Sequence, residues 1–148
     1  MGRTTAETIH DLTRTHLEGD GLLLGQCLSA VGWVAGTVPD VPKGIVELSM
    51  ADVAGGGISV GAALSGRRPI YVVRYQGFMW YNLPTIVNYA AKSKAMWGVP
   101  CPIFVRAVAM EGGIGPVAGG AHHSMAMRMP GINVVAPMTP GEYEACWK

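Results

Sequence analysis

Two adjacent histidines, His122 and His123, stand in the stretch AHHSMAM (Ala121–Met127), just behind a glycine-rich segment and just ahead of the apolar run INVVAP (Ile132–Pro137). Imidazole is the side chain whose ordinary pKa puts proton transfer in the neutral range, and loops carried by a rigid scaffold are where such groups meet substrate. A histidine pair also suits a metal, but no Cys, Asp or Glu stands beside it at ligand spacing. Asp52 and the aromatic group Tyr75, Phe78, Trp80 and Tyr81 are the other residues with chemical potential. An acid, several aromatic faces and a histidine together suit a flat, nitrogen-containing ring. Taken singly, each has a plainer reading. Asp52 reads first as a helix cap, and the aromatics as core or interface residues.

Two glycine patterns carry less. Gly113, Gly115 and Gly119 suggest a dinucleotide loop, but they follow a late strand, flank Pro116 and lack the G-x-G-x-x-G spacing. Gly19-Asp20-Gly21 precedes the first strand, and no asparagine follows it until Asn82.

The elements that must position these residues follow from periodicity. Thr4-Thr5-Ala6-Glu7 fits a capping box, which predicts a helix to about Glu18. Five apolar runs read as strands: Leu22–Leu28, Ile45–Met50, Pro69–Tyr75, Cys101–Ala109 and Ile132–Pro137. Asp52 takes the N-cap position of a glycine-rich helix, Val53–Gly66, in which Gly57 and Gly61 would share one face and let another helix approach. A turn over Gln76–Asn82 leads to a helix from about Leu83 to Met96, with Pro84 tolerated in its first turn. A short helix follows the Met110–Ala121 loop, and Thr139-Pro140-Gly141-Glu142 opens a last one of about two turns. Continuous apolar strands alternating with helices are the pattern of an α/β fold, a doubly wound, mostly parallel sheet with helices on both faces. In such a sheet ligands bind beyond the carboxyl ends of the strands.

Composition narrows the partners. The 148 residues make one domain with a formal net charge of +1, which favours neither nucleic acid nor an anionic membrane. Only 14% of residues are charged, against roughly 25% in typical domains, while 49% are hydrophobic. That balance predicts apolar surface covered by other chains. No apolar run is long enough for a membrane span and no secretory signal is present, so a cytoplasmic setting is expected. Cys27, Cys101 and Cys146 read as buried free thiols of a reducing compartment.

Three segments in order resemble one family. GRRPIYVVRYQGFMWYNLPTIVNYAAKSKAM (Gly66–Met96) is similar to the G-x-R-P-I…F…I-x-N-x-A-A-K core of the thiamine diphosphate-dependent, transketolase-like pyrimidine-binding domain, in the version of the beta subunit of the 2-oxoacid dehydrogenase decarboxylase component. MADVAGGGISVGAAL (Met50–Leu64) resembles its S-E-x-x-x-x-G-x-x-x-G-A-A-L helix, and HHSMAMRMPGINVVAPMTP (His122–Pro140) its Q-H-S…P-G-L-K-V-V-x-P-x-T-P run.

The resemblance implies thiamine diphosphate as cofactor, with this domain holding the aminopyrimidine ring. A diphosphate-binding, alpha-like partner chain would hold magnesium, since no G-D-G…N motif is credible here. It implies that Phe78 lies against the ring, that Tyr81 lines the same pocket, and that His123, which precedes Ser124, assists proton transfer. The carboxylate on the glycine-rich helix would bond a pyrimidine nitrogen and favour the imino form that takes the thiazolium proton. The family has glutamate there. Asp52 is shorter by one methylene, roughly 1.5 Å, so direct contact needs a shift of the helix or a bridging water. GQCLSAVGW (Gly25–Trp33) stands where the beta subunit has a G-E-D segment, and the subunit's C-terminal domain is not found in this sequence.

The implied function is the pyrimidine half of a shared site, for 2-oxoacid decarboxylation with acyl transfer or for ketol transfer. Its substrate would be a small 2-oxoacid or ketose, in a heterotetramer formed by self-association with the partner. The competing expectation is a non-catalytic scaffold that keeps the assembly interface.

Overall fold

The structure is a computed structural model that describes residues 2–110, 114–116 and 118–148. Its centre is a four-stranded parallel sheet in the order β2-β1-β3-β4, built from β1 (Leu22–Gln26), β2 (Ile45–Leu48), β3 (Pro69–Val73) and β4 (Phe104–Ala107). Strand order reverses between β1 and β3, where Leu24 pairs with Tyr71 in register. The crevice at such a reversal is where doubly wound sheets take ligands.

Alternate residues of β1 and β3 feed two cores. Leu24, Tyr71 and Val73 face one helical layer, with α3 (Asp52–Leu64), α4 (Met79–Thr85) and α6 (Ser124–Met127). Leu23, Ile70 and Val72 face the other, with Leu17 of α1 (Thr5–Glu18) and, at its margin, Trp147 just past α7 (Pro140–Cys146). All five residues of β3 are buried, as the continuous apolar run requires. The edge strands β2 and β4 are only half buried.

Both capping boxes form. Thr4 Oγ1 accepts from Glu7 N while Glu7 returns a bond to Thr4 N, and Thr139 and Glu142 do the same ahead of α7. Backbone N–H groups donating to Glu142 hold its carboxyl below the usual carboxylate range.

Several expectations are corrected. Ile132–Pro137 is not a strand: Ile132 and Val134 pack against the core and, with β4, line an apolar cleft of about 460 Å³, but pair with no strand among the described residues, and a strand exists only by pairing. Asp52 is not an N-cap. Ala51 holds that position without a side-chain bond, and Asp52 lies in the first helical turn. The long helix begins earlier than Leu83, at Met79. Pro84 therefore falls inside α4 and lacks the N–H for its turn, and a π-helical turn, Ile86–Ala90, joins α4 to α5 (Ala91–Trp97). Cys146 is exposed, and Cys27 and Cys101 are half-buried; all three are free.

The close approach of helices also uses other glycines than expected. The buried face of α3 is Gly55, Gly56, Ser59, Val60 and Ala63. A Cβ on Gly55 would collide with the Tyr71 hydroxyl, and one on Gly56 with the backbone carbonyl of Asn82, whereas Gly61 has open space around it and Gly57 nearly so.

Between β1 and β2 the chain makes a left-handed turn, α2 (Gly32–Gly36), with φ near +53° at Trp33, Val34 and Ala35. Such conformations cost roughly 1–2 kcal/mol for each residue with a Cβ. Burial of Val34 offsets part of that. So does buried Arg106 of β4, whose guanidinium donates to Thr37 O at 3.3 Å and Thr37 Oγ1 at 3.0 Å just after the turn.

The glycine geometry sets a contrast. Gly56→Ala should destabilise the chain by about 1–3 kcal/mol through overpacking against α4. Gly61→Ala should be neutral or stabilising by up to about 1 kcal/mol through helix propensity. Urea unfolding of both variants measures this, and equal destabilisation would contradict the assignment of the buried face.

Candidate functional site

The sequence candidates gather at the carboxyl ends of the strands. Asp52 opens α3 shortly after β2. β3 ends at Val73 and passes through Arg74 and Tyr75 into a single 3₁₀ turn, Gln76–Phe78, which runs straight into α4. The loop after β4 is closed at its neck by pairing of Met110 with Gly120, and His122 and His123 emerge from that neck. Gly113 lies outside the described residues; Gly119 donates to Gly115 O at 2.8 Å within the loop.

Asn82 joins the first two groups. Its Nδ2 donates to Asp52 Oδ1 at 2.9 Å and to the Phe78 carbonyl at 2.8 Å. Its Oδ1 accepts from the Tyr71 hydroxyl, itself buried in β3. Asn82 is 2% exposed and Tyr71 1%, so each needs these partners. Burial, with the Asp52 charge as a smaller contribution, pushes the Tyr71 phenol up to about 12.

Phe78 is half-buried against the core layer containing Leu24 and Tyr71, and its ring lies 6.2 Å from that of Tyr75. Gln76 joins the histidine loop to the site: its Oε1 accepts from the His122 backbone N–H at 2.5 Å. The two histidines therefore differ. His122 is held through its backbone, while His123 precedes α6 and lines the cleft beside β4 with Gln76 and Met79.

The structure thus links Asp52 through Asn82 to the backbone carbonyl of Phe78 and ties the histidine loop to the turn that carries Phe78. It does not join His123 to Asp52 by a hydrogen bond among the described residues. Tyr81 stands 58% exposed on α4, one residue from Asn82.

Asn82 and Gln76 are the residues that sequence reasoning passed over. The signal for Asn82 is its spacing: it falls among Met79, Leu83 and Ile86 on the buried stripe of its helix, where an unpaired amide would be costly. Gln76 is 8% exposed at the end of the most buried strand, the same kind of signal.

Other features hold less. A concavity of about 380 Å³ opens at the opposite end of the sheet, lined by His16, Asp20, Arg67 and Arg68. Asp20 there is a left-handed turn residue whose carbonyl accepts from Arg67, and the Gly19–Gly21 segment is a connection from α1 to β1. No group of three or more His, Cys, Asp or Glu among the described residues stands close enough to hold a metal ion. No helix among them is long and apolar enough to cross a membrane.

Comparison with known proteins points to one family. The family model described as "Transketolase, pyrimidine binding domain" matches residues 29–148. The beta subunit of 2-oxoisovalerate dehydrogenase from Bacillus subtilis is 32% identical over 109 residues, covering 65% of this chain and 30% of that protein. The beta subunit of the pyruvate dehydrogenase E1 component from the same organism is 24% identical over 155 aligned residues, covering 93% of this chain and 45% of its own. The beta subunit of acetoin:2,6-dichlorophenolindophenol oxidoreductase from Cupriavidus necator is 32% identical over 102 residues. The chain spans less than half the length of these relatives.

The Tyr71 hydroxyl gives a pH test. Below pH 10 the phenol is neutral folded or unfolded, and the stability of its burial is fully present. Between pH 10 and about 12 only the unfolded chain ionises, so that stability is lost as pH rises. Tyr71→Phe should flatten the alkaline limb of a stability–pH curve over that window. At neutral pH it should cost about 1–2 kcal/mol by leaving Asn82 Oδ1 buried without a donor.

Proposed function

Because the chain belongs to the transketolase pyrimidine-binding family, we propose that it supplies the aminopyrimidine half of a thiamine diphosphate site in a 2-oxoacid dehydrogenase type of enzyme, the diphosphate half and its magnesium being held by a partner chain. The observation that carries this reading is the Asp52 carboxylate. It lies in the first turn of α3 at the carboxyl end of the sheet, with Oδ1 tied to the helix that follows Phe78.

The donor set fits an aminopyrimidine. A carboxylate with one bound oxygen and one open oxygen can accept from a ring nitrogen. Phe78 and Tyr81 offer aromatic faces along one turn of chain. When bound, thiamine diphosphate supplies the carbanion chemistry at its thiazolium carbon. In this reading Asp52 holds the proton at the pyrimidine ring nitrogen, Phe78 and Tyr81 flank the ring, and His123 gives or takes a proton at the substrate oxygen.

The partner requirement has support on the surface. Met50 and Val53 beside Asp52 and Trp80 and Tyr81 beside Asn82 are exposed, and a low-charge chain with such residues in the open suits burial against another polypeptide. The relatives named above are themselves described as beta subunits.

Turnover decides the reading. Combined with a diphosphate-binding partner, thiamine diphosphate and magnesium, the chain should consume a small 2-oxoacid. Asp52→Ala and His123→Ala should each lower turnover by about 100-fold or more, the usual scale of a lost acid–base group. No consumption of any 2-oxoacid or ketose, with cofactor affinity unchanged in Asp52→Ala, would overturn it. A complex that binds little cofactor, yet assembles normally after Phe78→Ala and His123→Ala, would identify a scaffold instead.

A further inference from the structure

The carboxylate on α3 is short, and a short acid must be aimed. Asp52 has one torsion that decides which oxygen faces outward. The Asn82 amide settles it, since both Nδ2 hydrogens are committed: one to Asp52 Oδ1 at 2.9 Å, the other to the Phe78 carbonyl at 2.8 Å. The amide cannot turn over, because its Oδ1 accepts from the Tyr71 hydroxyl and a flip would set carbonyl against carboxylate. Among the described residues the Tyr71 hydroxyl has no other partner, in a position 1% exposed, so it remains the donor that sets the direction of the whole chain of bonds.

The surrounding backbone is shaped to this relay. Gly55 and Gly56 are the two α3 positions where a Cβ would strike Tyr71 and Asn82. With any other residue there, the phenol of Tyr71 or the backbone that carries the Asn82 amide would have to move. Oδ2 of Asp52 has no hydrogen-bond partner among the described residues.

We infer that Tyr71 and Asn82 are positioning residues that make Asp52 a one-sided acceptor, with Oδ1 tied inward and Oδ2 reserved for the pyrimidine ring nitrogen of the cofactor. This rests on the function proposed above. It would give the shorter acid a fixed aim, so that little reorganisation is needed when the ring arrives.

Two measurements test it. In the free chain, hydrogen–deuterium exchange of the Asn82 side-chain amide protons should be slow, and Asp52→Ala should speed one of them by about tenfold or more while leaving the other slow. Exchange of both at the rate of an exposed asparagine would overturn the relay without reference to any cofactor.

In the complex with the partner chain, Tyr71→Phe and Asn82→Ala should each slow deuterium exchange of the thiazolium proton of bound thiamine diphosphate by about tenfold, the scale of a hydrogen bond to a charged group. The KM for the 2-oxoacid should stay within about twofold, and the double variant should be no slower than Asn82→Ala alone, as for residues acting in series. Tyr71→Phe keeps the ring and serves if Asn82→Ala fails to fold. Wild-type exchange in Tyr71→Phe overturns the proposal. A wild-type complex that binds no thiamine diphosphate overturns the proposed function instead, and the two failures are thereby told apart.

Discussion

A primary amide buried between a strand and two helices has no water to fall back on, so the elements around Asn82 must be arranged to satisfy it. Its three bonds reach β3 through Tyr71, α3 through Asp52 and the entry of α4 through Phe78. Each of those elements is placed by ordinary apolar burial, since Tyr71, Val60, Met79 and Leu83 share one core layer. The amide adds direction to that packing. A helix can slide along an apolar face at modest cost, but a slide here would strand a donor or an acceptor in low dielectric. The relative setting of α3 and α4 is therefore fixed by polarity, and the acid at the head of α3 inherits that setting.

The site lies where it does because a parallel sheet sends every carboxyl end in one direction. Asp52, Gln76 and the neck of the histidine loop come from three connections separated by long stretches of chain, yet all three emerge at the same end of the sheet. The loop neck, closed by the Met110–Gly120 pairing, is tied to the sheet end by the Gln76 side chain, which accepts from the His122 backbone. The layer beneath is apolar and closed, whereas much of the outer surface of α3, α4 and α5 is apolar and open, as at Ile58, Trp80 and Trp97. Such a surface is consistent with the low charge of the chain.

Much of this was legible in the residues. β1 and β3 announced themselves because a strand buried on both faces must be apolar throughout, and the capping boxes because their geometry is local. What failed was decided by distant partners. Ile132–Pro137 has strand composition, but composition cannot supply a neighbouring strand. Three consecutive glycines in α3 offer several small faces, and which one is used depends on Tyr71 and Asn82, not on the helix itself. Pro84 looked like a first-turn residue because the aromatic stretch before it resembles a turn; packing of Met79 into the core extended the helix backwards. Asp52 was identified as a candidate, but the bonds that aim it come from Asn82, 30 residues along, and from Tyr71, 11 residues before Asn82, a relation that no short window along the chain contains.

The left-handed turn at Gly32–Gly36 has a consequence for the order in which the molecule assembles. Its three residues with side chains at positive φ are held by local bonds, Val34 N–H to Leu28 O and Val38 N–H to Trp33 O, by the burial of Val34, and through Thr37 by the guanidinium of Arg106. Arg106 lies 69 residues beyond Thr37. During synthesis the Arg106 share of that support arrives only once β4 has left the ribosome and joined the sheet. In the folded protein, its conformation consequently reports on whether β4 is docked, and the segment will be among the first to relax when that edge of the sheet opens.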